Sequence, residues 1–135
     1  MPLRFHPKPG TVLVCGYSEG FRPPEMVKKR LAVVISPRLR HRDKLCSVVP
    51  LSTTPPRVVQ PWHHQIVFER ALPRPFEGVE KWAKCDMVAT VAFHRLELIR
   101  LGRDPPSGRR RYIQPRISDD DLERVRDAVC RSLGL

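Results

Sequence analysis

The sequence predicts a mainly β (α+β) protein: a small, strongly curved β-barrel with one C-terminal α-helix packed on it. Three observations carry that expectation. Fifteen prolines in 135 residues are too many for a helical bundle, because proline interrupts both helices and central strands. Short apolar, β-branched runs recur at even spacing between proline- and glycine-rich loops. Helical periodicity is confined to the C-terminal segment. The length fits a single domain, 1–135, and a hydrophobic content of 41% supplies one core.

Taken in order, residues 1–9 contain Pro2, Pro7 and Pro9 and read as an extended lead-in. Gly10 then opens a strand over 11–15. Gly16, Gly20, Pro23 and Pro24 break 16–29 into a long loop. The continuous apolar run 31–36, bounded by Arg30 and Pro37, has the pattern of a strand buried on both faces. A basic connection, 37–44, leads to the next strand over 45–51. After the hydroxyls Ser52, Thr53 and Thr54, the prolines at 55, 56 and 61 force another loop. Residues 64–69 alternate as a strand, 70–84 read as irregular, and 86–93 read as a strand. Residues 95–101 fit either a turn of helix or an edge strand. A loop over 102–111 with a basic tip, Arg109-Arg110-Arg111, precedes a last strand at 111–116.

The helix begins at Ser118, a good N-cap, with Asp121 three residues on as a short capping-box acid. Asp119, Asp120 and Asp121 occupy the first turn, where the helix dipole favours negative charge. Leu122, Val125, Val129 and Leu133 form one apolar stripe, and Gly134 supplies the stop.

Net charge is +11 and unevenly placed. Residues 118–135 hold five acidic groups against three basic ones, which leaves the first 117 residues at +13. A body that basic attracts nucleic acid or an acidic protein partner. Cys15, Cys46, Cys85 and Cys130 are far apart with no CxxC pair, so no zinc site is expected even with His63-His64 nearby. They read as buried reduced thiols. The run 11–15 is too short for a signal peptide or a membrane span, so the expectation is a soluble cytoplasmic protein.

The chemistry concentrates in one stretch. Lys28, Lys29 and Arg30 end where one buried strand begins, and Ser52, Thr53 and Thr54 end the next. A cation at the mouth of one strand and hydroxyls at the end of its neighbour suit a phosphodiester. No Ser-His-Asp or Cys-His arrangement is present; His63-His64 reads as surface or core, and no metal or cofactor is expected. Trp62, Trp82, Phe21 and Tyr17 lie in or beside loops, where aromatics can stack on unpaired bases, although Trp82 reads better as core. Arg38, Arg40, Arg42, Lys44 and Arg109, Arg110 and Arg111 suit sequence-independent phosphate contacts.

These residues resemble the MazF/PemK family of toxin endoribonucleases from type II toxin–antitoxin modules. The resemblance spans about 8–133. It rests on Pro9-Gly10-Thr11-Val12, on Pro24-Glu25-Met26 with 30–37 (Arg-Leu-Ala-Val-Val-Ile-Ser-Pro), on Val49-Pro50-Leu51-Ser52-Thr53, and on Lys84-Cys85-Asp86-Met87-Val88, in that order. It implies an SH3-like barrel, a homodimer, an acidic cognate antitoxin, and metal-independent cleavage of single-stranded messenger RNA through attack by the substrate's 2′-OH. Arg30 corresponds to the family's phosphate-binding arginine, although Leu31 replaces the proline that usually follows. Ser52 or Thr53 corresponds to its active-site hydroxyl. Asp86 and Lys84 stand where one branch has an aspartate base and an arginine acid. A histidine that some relatives carry before the loop glutamate is replaced by Pro24, and Glu25 reads as a loop organiser at the RNA interface. Two other readings share the barrel: a toxin that poisons DNA gyrase by binding, and a degenerate module that only binds nucleic acid. Arg30 together with the hydroxyl cluster argues against the first.

Overall fold

A computed structural model describes residues 3–18 and 20–135. Among the described residues, nine strands and one helix follow each other in the order β1 (Val12–Gly16), β2 (Lys29–Val34), β3 (Leu45–Ser52), β4 (His63–Val67), β5 (Glu80–Lys84), β6 (Ala89–Ala92), β7 (Leu96–Glu97), β8 (Ile99–Arg103), β9 (Arg110–Ile113) and α1 (Asp119–Ser132), with two short 3-10 turns flanking β6. The mainly β class with a terminal helix matches the sequence expectation. The barrel does not close. The main sheet runs β4-β5-β3-β2-β1-β7, with β6 also on β3, and β8 and β9 form a separate hairpin. Closure requires the two outer strands to pair. Here the outer strand β7 is only two residues long, and the chain leaves it for the hairpin.

β3 is the spine. On one side it pairs with β2, Ala32 opposite Pro50 and Val34 opposite Val48. On the other, its first half pairs with β6 and its end with β5, Leu51 opposite Ala83 and Ser52 opposite Trp82. Alternation divides the side chains between two faces. Val12, Val14, Leu31, Val33, Val49, Leu51 and Ala83 face α1 and its buried Leu122, Val125, Ala128 and Val129. Leu13, Cys15, Ala32, Val34, Cys46 and Val48 face the other way, under Leu3, Met26 and Phe93. Both faces of the central strands are therefore covered, which is why 31–36 reads as an unbroken apolar run. Full burial of one such aliphatic side chain stabilises the fold by about 1.5–3 kcal/mol.

Several local expectations are corrected. Residues 80–84 form β5 and are not irregular. Asp86 lies in a 3-10 turn, Cys85–Met87, and the strand starts only at Ala89. Phe93–Arg95 is a second 3-10 turn. Much of 102–111 belongs to the β8–β9 hairpin. In α1 the Ser118 Oγ accepts from the Asp121 backbone N–H at 3.0 Å, as a cap should. The Asp121 carboxylate does not return to the cap; it meets His64 Nε2 at 2.8 Å and ties α1 to β4. Leu133 is 61% exposed, and Ala128 takes its place in the buried stripe. Arg126 secures the helix to the far end of β2 by donating to the Ile35 carbonyl at 2.8 and 3.1 Å. Among the described residues no helix is long and apolar enough to cross a membrane.

Candidate functional site

The start of β2 and the end of β3 open into a cleft of about 380 Å³. Arg30, Thr53, Thr54 and Lys81 line it, together with Lys28, Lys29, Pro75 and Phe76. The antiparallel β2–β3 ladder, with Ala32 opposite Pro50, sets the start of one strand beside the end of the other. A basic strand start thereby meets a hydroxyl-rich strand end.

Arg30 is half-buried, and its Nε donates to the Val27 carbonyl at 3.4 Å. That contact aims the guanidinium while its two terminal nitrogens keep no protein partner among the described residues. Lys28, two residues earlier, has φ +81°, a left-handed conformation costly for a residue with a Cβ. Its carbonyl accepts from the Tyr17 N–H at 3.2 Å, so the turn continues the β1–β2 ladder to its end.

The two hydroxyls that the sequence leaves as alternatives separate here. Ser52 is 3% exposed. Its Oγ accepts from the Thr54 N–H at 3.1 Å and donates to the Thr54 carbonyl at 3.4 Å, so it is consumed in shaping the turn. Thr53 is exposed and lines the cleft.

Lys81 is a cleft residue that the sequence reading passed over, because it lies in a segment read as irregular. It is 1% exposed. Its Nζ donates to the Phe76 carbonyl at 2.9 Å and the Glu77 carbonyl at 2.8 Å, which pins the 73–77 loop over the cleft. Burial lowers its pKa, and the nearby Glu77 carboxylate partly offsets this. The available signal was the pattern Glu80-Lys81-Trp82-Ala83-Lys84, which places Lys81 and Ala83 on the same face of a strand.

The remaining predicted residues are spread more widely. Lys84 is half-buried at the end of β5, and Asp86 is exposed on the 3-10 turn; neither lines the cleft. By alternation Lys84 shares the sheet face of Arg30, Ser52 and Trp82. Glu25 is exposed, and its backbone N–H donates to the Arg22 carbonyl at 2.8 Å in the loop before Met26. Arg38 and Arg40 are exposed in the connection beyond the opposite end of β2 from Arg30 and do not line the cleft. Arg110, on β9, lines a second pocket beside the cleft.

Among the aromatics, Tyr17 is buried, with Phe21 edge-on to it at 5.4 Å and the Arg95 guanidinium 4.8 Å above the Phe21 ring. Trp62 packs against the core. Trp82, read from sequence as core, is half-exposed and belongs to neither core cluster.

His63 and His64 lie inside β4 in structural roles. The His63 Nδ1 accepts from the Gln60 N–H at 3.0 Å, and His64 meets Asp121. Burial pushes the thiols of Cys15 and Cys46 up to about 11 and that of Cys85 up to about 12, which keeps them protonated and poor nucleophiles at neutral pH. Cys130 is exposed, against the expectation of a buried thiol. Among the described residues no three His, Cys, Asp or Glu side chains cluster as a metal site would require.

The family model described as PemK-like, MazF-like toxin of type II toxin-antitoxin system matches residues 8–133. The YifN protein of Escherichia coli (strain K12) is 32% identical over 152 aligned positions, covering 99% of this chain and 96% of that one. Among solved structures, an endoribonuclease in complex with its cognate antitoxin from a Mycobacterial species superposes with a TM-score of 0.61 at 17% identity, covering 96% of this chain and 97% of that one. MazF from Deinococcus radiodurans gives 0.59 at 18% identity, covering 98% and 100%.

Proposed function

Because the chain belongs to the PemK-like, MazF-like toxin family of type II toxin–antitoxin systems, we propose that it is an endoribonuclease toxin that cleaves single-stranded messenger RNA in the cytoplasm. The observation that carries this reading is the cleft lined by Arg30, Thr53 and Lys81, in which the two terminal nitrogens of Arg30 have no partner among the described residues. Arg30 holds two oxygens of the scissile phosphate and stabilises the charge that grows on them as the phosphorus becomes pentacoordinate. Thr53 donates to the same phosphate, while Ser52 holds the turn that presents it.

The substrate's own 2′-OH attacks phosphorus and the bond to the 5′-oxygen breaks. The products are a 2′,3′-cyclic phosphate and a 5′-hydroxyl, and DNA, lacking the 2′-OH, is not a substrate. One group must take the 2′-OH proton and another must return one to the leaving oxygen. Asp86 and Lys84 are assigned these roles on the family resemblance, and Lys84 further on its sheet face. The +13 body binds RNA through phosphates and attracts an acidic antitoxin segment that competes for the same surface. The active form is a homodimer.

The test is incubation of purified protein with a long single-stranded RNA in EDTA, beside Arg30→Ala. Discrete fragments with 5′-hydroxyl ends, lost in the variant, are the expected result. RNA left intact by the wild type, with binding retained in a gel shift, would replace this reading with a non-catalytic one.

A further inference from the structure

Next to the cleft is a second pocket of about 360 Å³, within the range of ligand pockets. It shares Lys29, Pro75 and Phe76 with the cleft and adds Arg74, Arg100, Arg110 and Tyr112. We propose that this pocket seats the base and phosphate of a nucleotide flanking the scissile bond in single-stranded RNA. The proposal rests on the cleavage reading above and extends it to a substrate-positioning role for the β8–β9 hairpin.

Its charge is the first argument. Arg74, Arg100 and Arg110 are exposed and, among the described residues, have neither an ion-pair nor a hydrogen-bond partner. The single carboxylate in the lining, Glu97, is already paired with Lys29 at 3.1 Å. Three uncompensated guanidiniums around one recess suit a phosphate, whose oxygens match their planar donors.

Its aromatic walls are the second. Phe76 is half-buried and packs against the main core, so its ring is held in place and not collapsed into the pocket. Tyr112 is half-buried on β9 directly opposite Arg100 on β8. Opposed residues of an antiparallel pair project from one face. The hairpin therefore presents a ring and a cation side by side, as a stacked base with its attached phosphate requires.

Continuity is the third. Phe76 walls both recesses, and the carbonyls that Lys81 holds belong to Phe76 and Glu77. One buried ammonium thus fixes the partition between the reacting phosphate and the neighbouring nucleotide. Among the described residues the hairpin makes no ladder with the main sheet. It acts as an arm that adds length to the RNA track and leaves the reacting groups untouched.

A ladder of oligouridylates growing one nucleotide at a time tests this without relying on cleavage. For the wild type, affinity rises about tenfold at the length that first reaches the pocket, the value of roughly one stacked base. In Tyr112→Leu that step disappears. In Arg100→Gln/Arg110→Gln the step shrinks and the salt dependence of binding flattens by a slope of about 1.4, from two lost phosphate contacts. Both variants should unfold at the wild-type temperature, so that a lost step reports on the pocket and not on the fold. A step of unchanged size in all three proteins would overturn the proposal. A step that vanishes in the variants while the wild type cleaves nothing would support the pocket and remove the cleavage reading.

Discussion

Both ends of β2 are basic, and they differ in what surrounds their cations. At its start, Lys28, Lys29 and Arg30 meet Thr53, Thr54 and a buried lysine across a cleft walled by Phe76. Past its end, Arg38, Arg40, His41 and Arg42 ring a recess of about 540 Å³ lined by residues 38–43 alone. The second group is one loop folded on itself, with no neighbouring strand to bring a hydroxyl or an aromatic against its cations. Charge density draws in a polyanion from either end. Chemistry needs donors held at fixed separations, and those come from paired strands.

The sharpest way to break that contrast is to remove cations from each end in turn. Arg30→Ala should lower kcat on single-stranded RNA by about 100- to 1,000-fold, the usual cost of a preorganised charge-stabilising donor. The double variant Arg38→Ala/Arg40→Ala should leave kcat within about twofold and only weaken binding, more so at low salt, as expected for loose phosphate contacts. Comparable losses of kcat at the two ends would mean that the loop also contributes to the transition state.

Lys81 decides whether the cleft wall is held from beneath. Lys81→Met keeps the length of the side chain and removes the donors to the Phe76 and Glu77 carbonyls. Two carbonyls losing partners in a buried setting should cost about 1–3 kcal/mol, read from chemical denaturation. The lowered pKa adds a sign. The unfolded chain binds more protons than the folded one between the depressed and the ordinary lysine pKa, so wild-type stability gains a contribution as pH rises through that alkaline window. The Met variant should lack that gain. An unchanged denaturation midpoint would show that the 73–77 loop holds its place without the ammonium.

The sequence made the Arg30 end legible and hid most of what surrounds it, for a physical reason. Arg30 opens the apolar run 31–36 and Ser52-Thr53 close the mainly apolar run 45–51, and such runs declare buried strands whatever their partners are. β5 was missed because three of its five residues carry charge. Its inward lysine is tolerated only because two carbonyls from the preceding loop satisfy it, and local patterning does not show this. Phe76 and Tyr112 are thirty-six positions apart and meet at one pocket through tertiary folding alone. Closure of the barrel failed on an equally non-local point, the shortness of β7. The helix was read correctly from its cap and aspartates, yet Asp121 left the cap for a histidine more than fifty residues away.

The hydroxyl cluster sharpens the comparison at smaller scale. Thr53→Val removes an oxygen that lines the cleft while keeping the branched shape, and should lower kcat about tenfold with an unchanged melting temperature, since a hydrogen bond to a charged group is worth about 1.5–3 kcal/mol. Ser52→Ala should do the reverse, destabilising by about 1 kcal/mol through the lost turn bond and changing kcat little. If Ser52→Ala proves the more damaging to kcat, its Oγ turns from Thr54 toward the phosphate when substrate binds.

The smallest effect concerns how Arg30 is aimed. Lys28 holds φ +81° at the last rung of the β1–β2 ladder, and Arg30 leans on the Val27 carbonyl of the same turn. If the ladder imposes that conformation, its cost persists in Lys28→Ala and disappears in Lys28→Gly. Both variants lose the same cation, so their difference isolates the backbone. Lys28→Gly should be more stable than Lys28→Ala by about 1 kcal/mol, the left-handed penalty less the glycine's greater unfolded-state freedom. The two should share one kcat, because the turn that directs Arg30 is the same in both. An alanine variant as stable as the glycine one, with kcat reduced, would mean that the turn relaxes out of the left-handed region and takes the arginine with it. The positioning of Arg30 would then depend on the side chain at 28 and not on strand pairing.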